Sequence, residues 1–377
     1  MINAIFLFIC MVFVTFIVVI FTLLSGEIYY IGLIVVVACI LYLLFLFLMS
    51  HFFKTKKRKR VFISISIIAI IIASIQPIYR AYDSSKIIGN MEVDIYQYIP
   101  FSENGRIATL EEESSFKVTD DLPKIDGATA LYPLYSAFVQ ATFPKKDYDP
   151  YFSEVMVNQT PNAYEKLFNG EVDMIFVAAP SDSQKKVAKN KGLELEMTPI
   201  GREAFVFFVN QKNQINGLTI DQIKDIYSGK VKNWEDVGGK NDSIRAFQRP
   251  EDSGSQSALQ RLMGDKAIME APTENVASGM GDIIEEVANY RNYDNAIGYT
   301  FRFYVKEMVK NDQIKLLEID GIAPTKETIQ NGTYPLSTEF YIVTAGTDNP
   351  NVEPFIEWIL SSQGQEILEK TGFVPVR

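Results

Sequence analysis

Two short turns in this 377-residue chain place hydroxyl, glycine and acidic residues directly ahead of helix-patterned stretches. Asp126-Gly127-Ala128-Thr129-Ala130 precedes residues 131–142, and Asp252-Ser253-Gly254-Ser255 precedes residues 256–263. The first N–H groups of a helix have no partner inside it, so a helix start built from small residues and a hydroxyl can hold an anion. Ser, Thr and Asp are also ordinary N-caps, and either turn alone has that plainer reading. Arg249 separates the second turn from the first. Four residues ahead of Ser253, its guanidinium can offer two parallel N–H bonds to an oxyanion.

Other chemistries lack their parts. His51 is the chain's single histidine and stands beside a basic run at the edge of an apolar segment, so no Ser-His or Cys-His pair can be assembled elsewhere. Cys10 and Cys39 both fall in apolar runs, which leaves the rest of the chain without a disulfide or a zinc–thiolate site. No G-x-x-x-x-G-K-[ST] phosphate loop occurs. Glu285 and Glu286 could serve a glycosidase only if they faced each other, and adjacent helical residues do not. The pattern points to binding without catalysis, with no metal and no cofactor.

The turns need a scaffold to hold them. Short apolar runs at residues 172–178, 204–210 and 342–344 alternate with helical stretches such as 132–142 and 352–360. That alternation predicts an α/β globule with largely parallel sheets. Residues 81–124 are polar and irregular, with acids at Glu111, Glu112 and Glu113, and read as an extracellular stalk or small subdomain.

Ahead of the stalk the chain changes character. Overall it carries 36 basic and 46 acidic residues, a net charge of -10, with 47% hydrophobic residues. Those values exclude a basic nucleic-acid binder and a disordered chain. Seven of the basic residues and one acid, Glu27, lie within residues 1–80, which leaves 29 bases against 45 acids beyond them. Residues 2–25, 28–53 and 61–78 are apolar runs, each near the ~20 residues that cross ~30 Å of hydrocarbon as a helix. Residues 1–80 are therefore expected to be a membrane region with three transmembrane helices. The first run could instead be a signal peptide, but it lacks a basic start and a small-residue cleavage site; Cys10 follows Ile9, where a lipidated cysteine would follow a small residue. Lys54, Lys56, Lys57, Arg58, Lys59 and Arg60 form a basic knot between the second and third runs. The positive-inside rule puts that knot in the cytoplasm, so the N-terminus is also inside and everything after Arg80 is outside, a multi-pass protein of the cell membrane.

Six segments in order carry a resemblance: residues 126–135 (DGATALYPLY), 172–180 (VDMIFVAAP), 226–234 (IYSGKVKNW), 249–255 (RPEDSGS), 296–299 (AIGY) and 361–375 (SSQGQEILEKTGFVP). Together they resemble the signatures of the PstS-like phosphate-binding family, the substrate-binding component of the Pst-type ABC phosphate importer. The resemblance covers residues 124–377 and implies a two-lobed periplasmic-binding-protein fold, type II-like, that closes on its ligand. The binding domain would be residues 125–377, with one lobe from 125–202 plus 300–377 and the other from 203–299. Matched position by position, the family's ligand contacts fall on the Thr129 hydroxyl, the Ala130 N–H, Thr160, Arg249, Ser253, Gly254 and Ser255. Glu251 would orient Arg249, and Arg202 would add a cationic contact. One position departs. Where the family strand reads V-D-F-G-A-S-D-A-P, with a final aspartate that accepts a proton from hydrogen phosphate, this chain has Ala178, and Asp182 is a substitute acid in reach by sequence.

The resemblance implies a membrane-anchored extracellular solute-binding protein that captures phosphate or a related oxyanion. Its partners would be ABC permease subunits and the lipid bilayer, and not nucleic acid. Two other readings stay open: a membrane-tethered sensor or scaffold that does not transport, and an enzyme acting on phosphate esters, which the missing nucleophile–base pair disfavours.

Overall fold

The computed structural model describes residues 2–50, 52–85, 94–103, 105–270, 293–309 and 312–376; His51 and the Glu285–Glu286 pair lie outside them. The chain divides into two compact units, Met1–Ile87 and Ile88–Arg377.

The first unit contains three helices, α1 (Ile2–Leu24), α2 (Ile31–Met49) and α3 (Lys56–Ser85). A helix satisfies its backbone polar groups internally, which is what an unbroken apolar run needs in hydrocarbon. Two apolar segments, Ile28–Met49 and Lys56–Tyr82, are long enough to cross a membrane; that in α1, Phe8–Leu24, is shorter. The third helix outruns its expected end at residue 78 and accommodates Pro77. The basic knot is not a loop: Lys56 to Arg60 form the opening turns of α3, where the Thr55 hydroxyl accepts a bond from the Arg58 N–H at 3.4 Å. Aromatic contacts join α2 to both neighbours, Phe8 with Tyr42 at 5.0 Å and Phe47 with Phe62 at 5.5 Å. Large apolar side chains face outward along all three helices, among them Phe13, Phe21, Ile65 and Ile71.

In the second unit the chain forms β1 (Ile125–Gly127), α4 (Tyr132–Thr142), α5 (Gln159–Phe168), β2 (Met174–Ala178), α6 (Asp182–Asn190) and the long β3 (Glu196–Asn210). There follow β4 (Gly217–Leu218), α7 (Ile220–Tyr227), β5 (Arg245–Ala246), α8 (Gly254–Met263) and β6 (Ala296–Phe301). The last elements are β7 (Ile314–Leu316), β8 (Glu318–Ile319), α9 (Lys326–Gln330), β9 (Ser337–Thr344), α10 (Val352–Ile359), α11 (Ser362–Thr371) and β10 (Val374–Pro375).

The strand β3 belongs to two sheets. Its first half, from Glu196 to Ala204, pairs with β9, which continues through β2 to β1, while β10 pairs at Gly201 and Arg202. Its second half, from Phe205 to Asn210, pairs with β6 and β7, and β5 lies beyond β6. The sheets are mixed rather than largely parallel. Only β1–β2, β5–β6 and β4–β8 run parallel among the described strands, and every partner of β3 is antiparallel. Alternation of strands and helices does not specify direction when a strand pairs with partners distant in sequence.

Separate cores fill the two ends. One, built on β1, β2, α4, α10 and α11, includes Ile125, Phe138, Phe176, Phe355 and Trp358; a satellite under α5 and α6 includes Tyr164 and Val177. The other surrounds the second half of β3 and includes Phe207, Tyr227, Trp234, Leu259 and Tyr299. Ile314, Leu317, Ile319, Ile329 and Tyr334, expected in the first lobe, pack in this second core, because β7 extends the sheet on the second half of β3. The stretch expected to be a stalk or separate subdomain also packs. Tyr98 and Val118 are buried in the first core, with Ile107, Leu110 and Phe116 against it.

Glu203 sits where β3 passes between the sheets. It is buried, and its two carboxylate oxygens accept the N–H groups of Ala204 at 2.8 Å and Phe303 at 3.1 Å. Burial pushes its pKa up to about 7, against the pull of those two bonds and of Arg302.

Candidate functional site

Asp126 brings two donor turns together. Fully buried at the end of β1, its Oδ1 accepts the N–H of Gly127 at 2.7 Å and of Asn158 at 2.8 Å, and its Oδ2 accepts the Asn158 amide at 2.7 Å. Burial raises its pKa, while these bonds and Lys166 work the other way. The turn after β1 is thereby stitched to the start of α5. Gly127 is required there: a Cβ would stand 2.6 Å from the Phe176 carbonyl and 2.9 Å from Tyr135.

Neither turn spends its N–H groups on a side-chain cap. The 3-10 turn Thr129–Leu131, α4 and α5 all lack a side-chain N-cap bond. The Leu131 and Tyr132 N–H groups go to the Ala128 and Thr129 carbonyls, which leaves the Thr129 and Ala130 amides as the first turn's candidates to face a ligand. Thr129 and Ala130 are half-buried on the first turn, and Thr160 is buried in the first turn of α5, just after Gln159 at φ 64°.

The second lobe contributes α8. Ser253 is its N-cap, accepting the Gln256 N–H at 3.2 Å, and Gly254 and Ser255 open the helix half-buried. Gly254 lies against the first lobe: a Cβ placed on it would be 3.3 Å from Thr160 Oγ1 and 3.6 Å from Ala178 Cβ. Thr160, Gly254 and Ala178 thus meet at one point between the lobes, with Ala178 at the end of β2 and Tyr164 donating to its carbonyl at 3.2 Å.

Arg249 is held through its main chain. Its N–H donates to Gln256 Oε1 and to the Tyr299 hydroxyl, both at 3.0 Å, and the Tyr299 hydroxyl in turn donates to Gln256 Oε1. Burial raises the Tyr299 pKa, and the Arg249 N–H and charge oppose that rise. Sequence reasoning assigned neither Gln256 nor Tyr299 a role, although Tyr299 lies in the AIGY segment. A buried Tyr beside a helix start was the available signal.

Three expectations come out differently. Glu251 is exposed, and no ion pair joins it to Arg249 among the described residues; the next residue, Asp252, turns toward the first lobe. Asp182 does not replace the missing aspartate, because its side chain is fully exposed and paired with Lys185 at 3.1 Å. Arg202 is half-buried in β3, opposite Glu339 and Val374. Its neighbour Gly201 faces Phe340, which faces Ala178, so Arg202 is two strands away from the donor turns, roughly 10 Å by strand spacing. The described residues hold no cluster of His, Cys, Asp or Glu able to bind a metal.

The arrangement offers neutral N–H and O–H donors; Arg249 is tied in by its main chain, and the Arg261 guanidinium reaches the neighbouring Ala179 carbonyl at 3.2 Å. It suits an oxyanion and contains no nucleophile–base pair.

Comparison with known proteins gives one consistent answer. The model of the PBP superfamily domain matches residues 117–363. The phosphate-binding protein PstS of Staphylococcus saprophyticus is 29% identical over 261 residues, which span 67% of this chain and 79% of that protein. PstS of Bacillus subtilis is 23% identical over 274 residues, spanning 72% and 85%. A solved structure described as a phosphate ABC transporter substrate-binding protein with bound phosphate, from Clostridium perfringens, covers 69% of this chain and 100% of its own at 24% identity and a TM-score of 0.52, a likeness of fold.

Proposed function

We propose that this chain, which belongs to the PBP superfamily and is PstS-like across its globule, captures phosphate or a closely related oxyanion outside the cell and delivers it to an ABC permease. The observation that carries the reading is the meeting of Thr160 and Gly254 across the lobes, beside uncapped helix starts. The Thr129 hydroxyl, the Ala130 N–H, Thr160, Arg249, Ser253, Gly254 and Ser255 would hold the ligand's oxygens. Closure excludes water and strengthens each charge-assisted bond. The lobes would centre on residues 125–203 with 337–377, against which 94–124 pack, and on 204–336, with Phe303 reaching into the first core and Val374 into the second.

The N-terminal unit would anchor the protein through three spans. Lys56 to Arg60 would be cytoplasmic and the globule extracellular, in keeping with the basic start of α3 and the outward apolar faces. Membrane-tethered sensing without transport is the second reading, favoured by the aromatic packing of α2 on both of its neighbours, which a simple tether does not need.

Calorimetry on the full chain in lipid nanodiscs tests the site. Arg249→Ala is expected to weaken phosphate binding at least tenfold, about 1.4 kcal/mol. Unchanged affinity would reject Arg249 as a ligand.

A further inference from the structure

We propose that Ser181 and Asp252 form a clasp between the lobes that positions the Ser253–Ser255 turn independently of any ligand. The Ser181 hydroxyl, at the N-cap of α6, donates to Asp252 Oδ1. Ser181 Oγ itself accepts the Gln184 N–H at 3.0 Å, and Gln184 Oε1 accepts the Ser181 N–H at 2.9 Å, so a complete capping box fixes the donor. The amide of Gln184 then reaches the Asp252 carbonyl at 3.3 Å, and Arg261 of α8 donates to the Ala179 carbonyl at 3.2 Å. Protein groups alone make all three links between the β2–α6 turn and the α8 region.

The backbone shows why an aspartate stands here. Asp252 is at φ 66°, in the left-handed region that Gly, Asn and Asp enter most readily. A glycine would relieve the strain but leave Ser181 without its acceptor. Asp252 directly precedes Ser253, and Ser181 follows Ala178 by three residues, so fixing the clasp fixes the spacing between the two halves of the site. A hydrogen bond to a carboxylate is among the stronger kinds. Asp252 and Gln184 also line a pocket of about 310 Å³ with residues of α5 and α6. The clasp would break as the lobes part and reform as they meet. By favouring the closed arrangement it raises the fraction of molecules competent to hold a ligand, and apparent affinity rises in proportion.

The proposal relies on the oxyanion reading only to say what the turn holds, and its test needs no ligand. Spin labels at Lys189→Cys in the first lobe and Asp236→Cys in the second, with Cys10 and Cys39 replaced by Ser, report the interlobe distance by dipolar spectroscopy on the full chain in nanodiscs. Without phosphate, Asp252→Gly, which preserves the left-handed turn and the α6 cap, is expected to shift the closed-to-open ratio at least about tenfold toward open. Ser181→Ala should do the same and Ser181→Thr should restore the closed distance. Identical distance distributions in the parent, Asp252→Gly and Ser181→Ala would overturn the clasp. Added phosphate gives a separate readout: if it leaves every distance and the melting temperature unchanged while the variants still open, the ligand assignment fails and the clasp stands.

Discussion

Phe13 and Phe21 of α1 are 63% and 67% exposed, whereas Phe138, Phe176 and Phe355 of the globule are fully buried. The residue type is the same and so is its preference for leaving water. The two units differ in where the apolar phase lies. A helix that is apolar all round has no polar face to turn outward, and the anchoring proposed above gives it nonaqueous surroundings outside the chain. α10 instead alternates buried Phe355, Ile356, Trp358 and Ile359 with exposed Glu353 and Glu357, and finds those surroundings in the core. Hydrophobic content alone does not say which; the angular distribution of the apolar residues does.

The sharpest way to break this contrast is a pair of matched truncations. Phe355→Ala should cost the globule about 3–5 kcal/mol, the usual loss for a buried aromatic, and Phe21→Ala should leave its denaturation midpoint where it was. Equal losses in denaturant titrations of the full chain in detergent would show that α1 is part of a shared core.

Glu203 probes the sealed interior from the opposite direction. Its folded pKa near 7 lies above the ordinary 4.5, so between those values the unfolded chain has released a proton that the native chain still holds. Stability is then fully present below about pH 4.5 and falls as the pH rises toward 7, by on the order of 3 kcal/mol. Glu203→Gln should flatten that part of the stability profile, measured by urea titration at a series of pH values. A slope that survives the substitution would assign it to other groups.

The smallest effect is expected at the globule's surface. Thr219 caps α7, accepting the Gln222 N–H at 3.1 Å while Gln222 returns a bond at 2.9 Å. Thr219→Ala should lower stability by about 1 kcal/mol with no change in phosphate binding. A much larger loss would mean that the edge of the globule is packed as tightly as its core.

Local pattern carried much of the fold. The helical stretch at 132–142 coincides with α4, and the apolar runs at 172–178 and 204–210 mark β2 and the second half of β3. The first half of β3 was hidden, because Glu196, Pro199, Arg202 and Glu203 interrupt its apolar pattern; pairing with β9 on one side and β10 at its end makes it a strand. In the site, Thr160 follows from the family resemblance, and its place beside Gly254 goes with the Asp126–Asn158 stitch, a contact across 32 residues. The turn of Asp252 toward Ser181 crosses 71 residues and leaves no local trace. Residue type identified the donors, and only the pairing of distant segments determined which neighbours they keep.

Because β3 runs unbroken through both sheets, the lobes are joined by a continuous hydrogen-bonded ribbon as well as by loops. A loop hinge swings freely; a ribbon resists torsion and returns when released. If the lobes open as proposed, the motion twists β3 near Glu203, beside the irregular register between Pro199 and Gly201, and the ribbon's torsional stiffness would set how far the cleft moves.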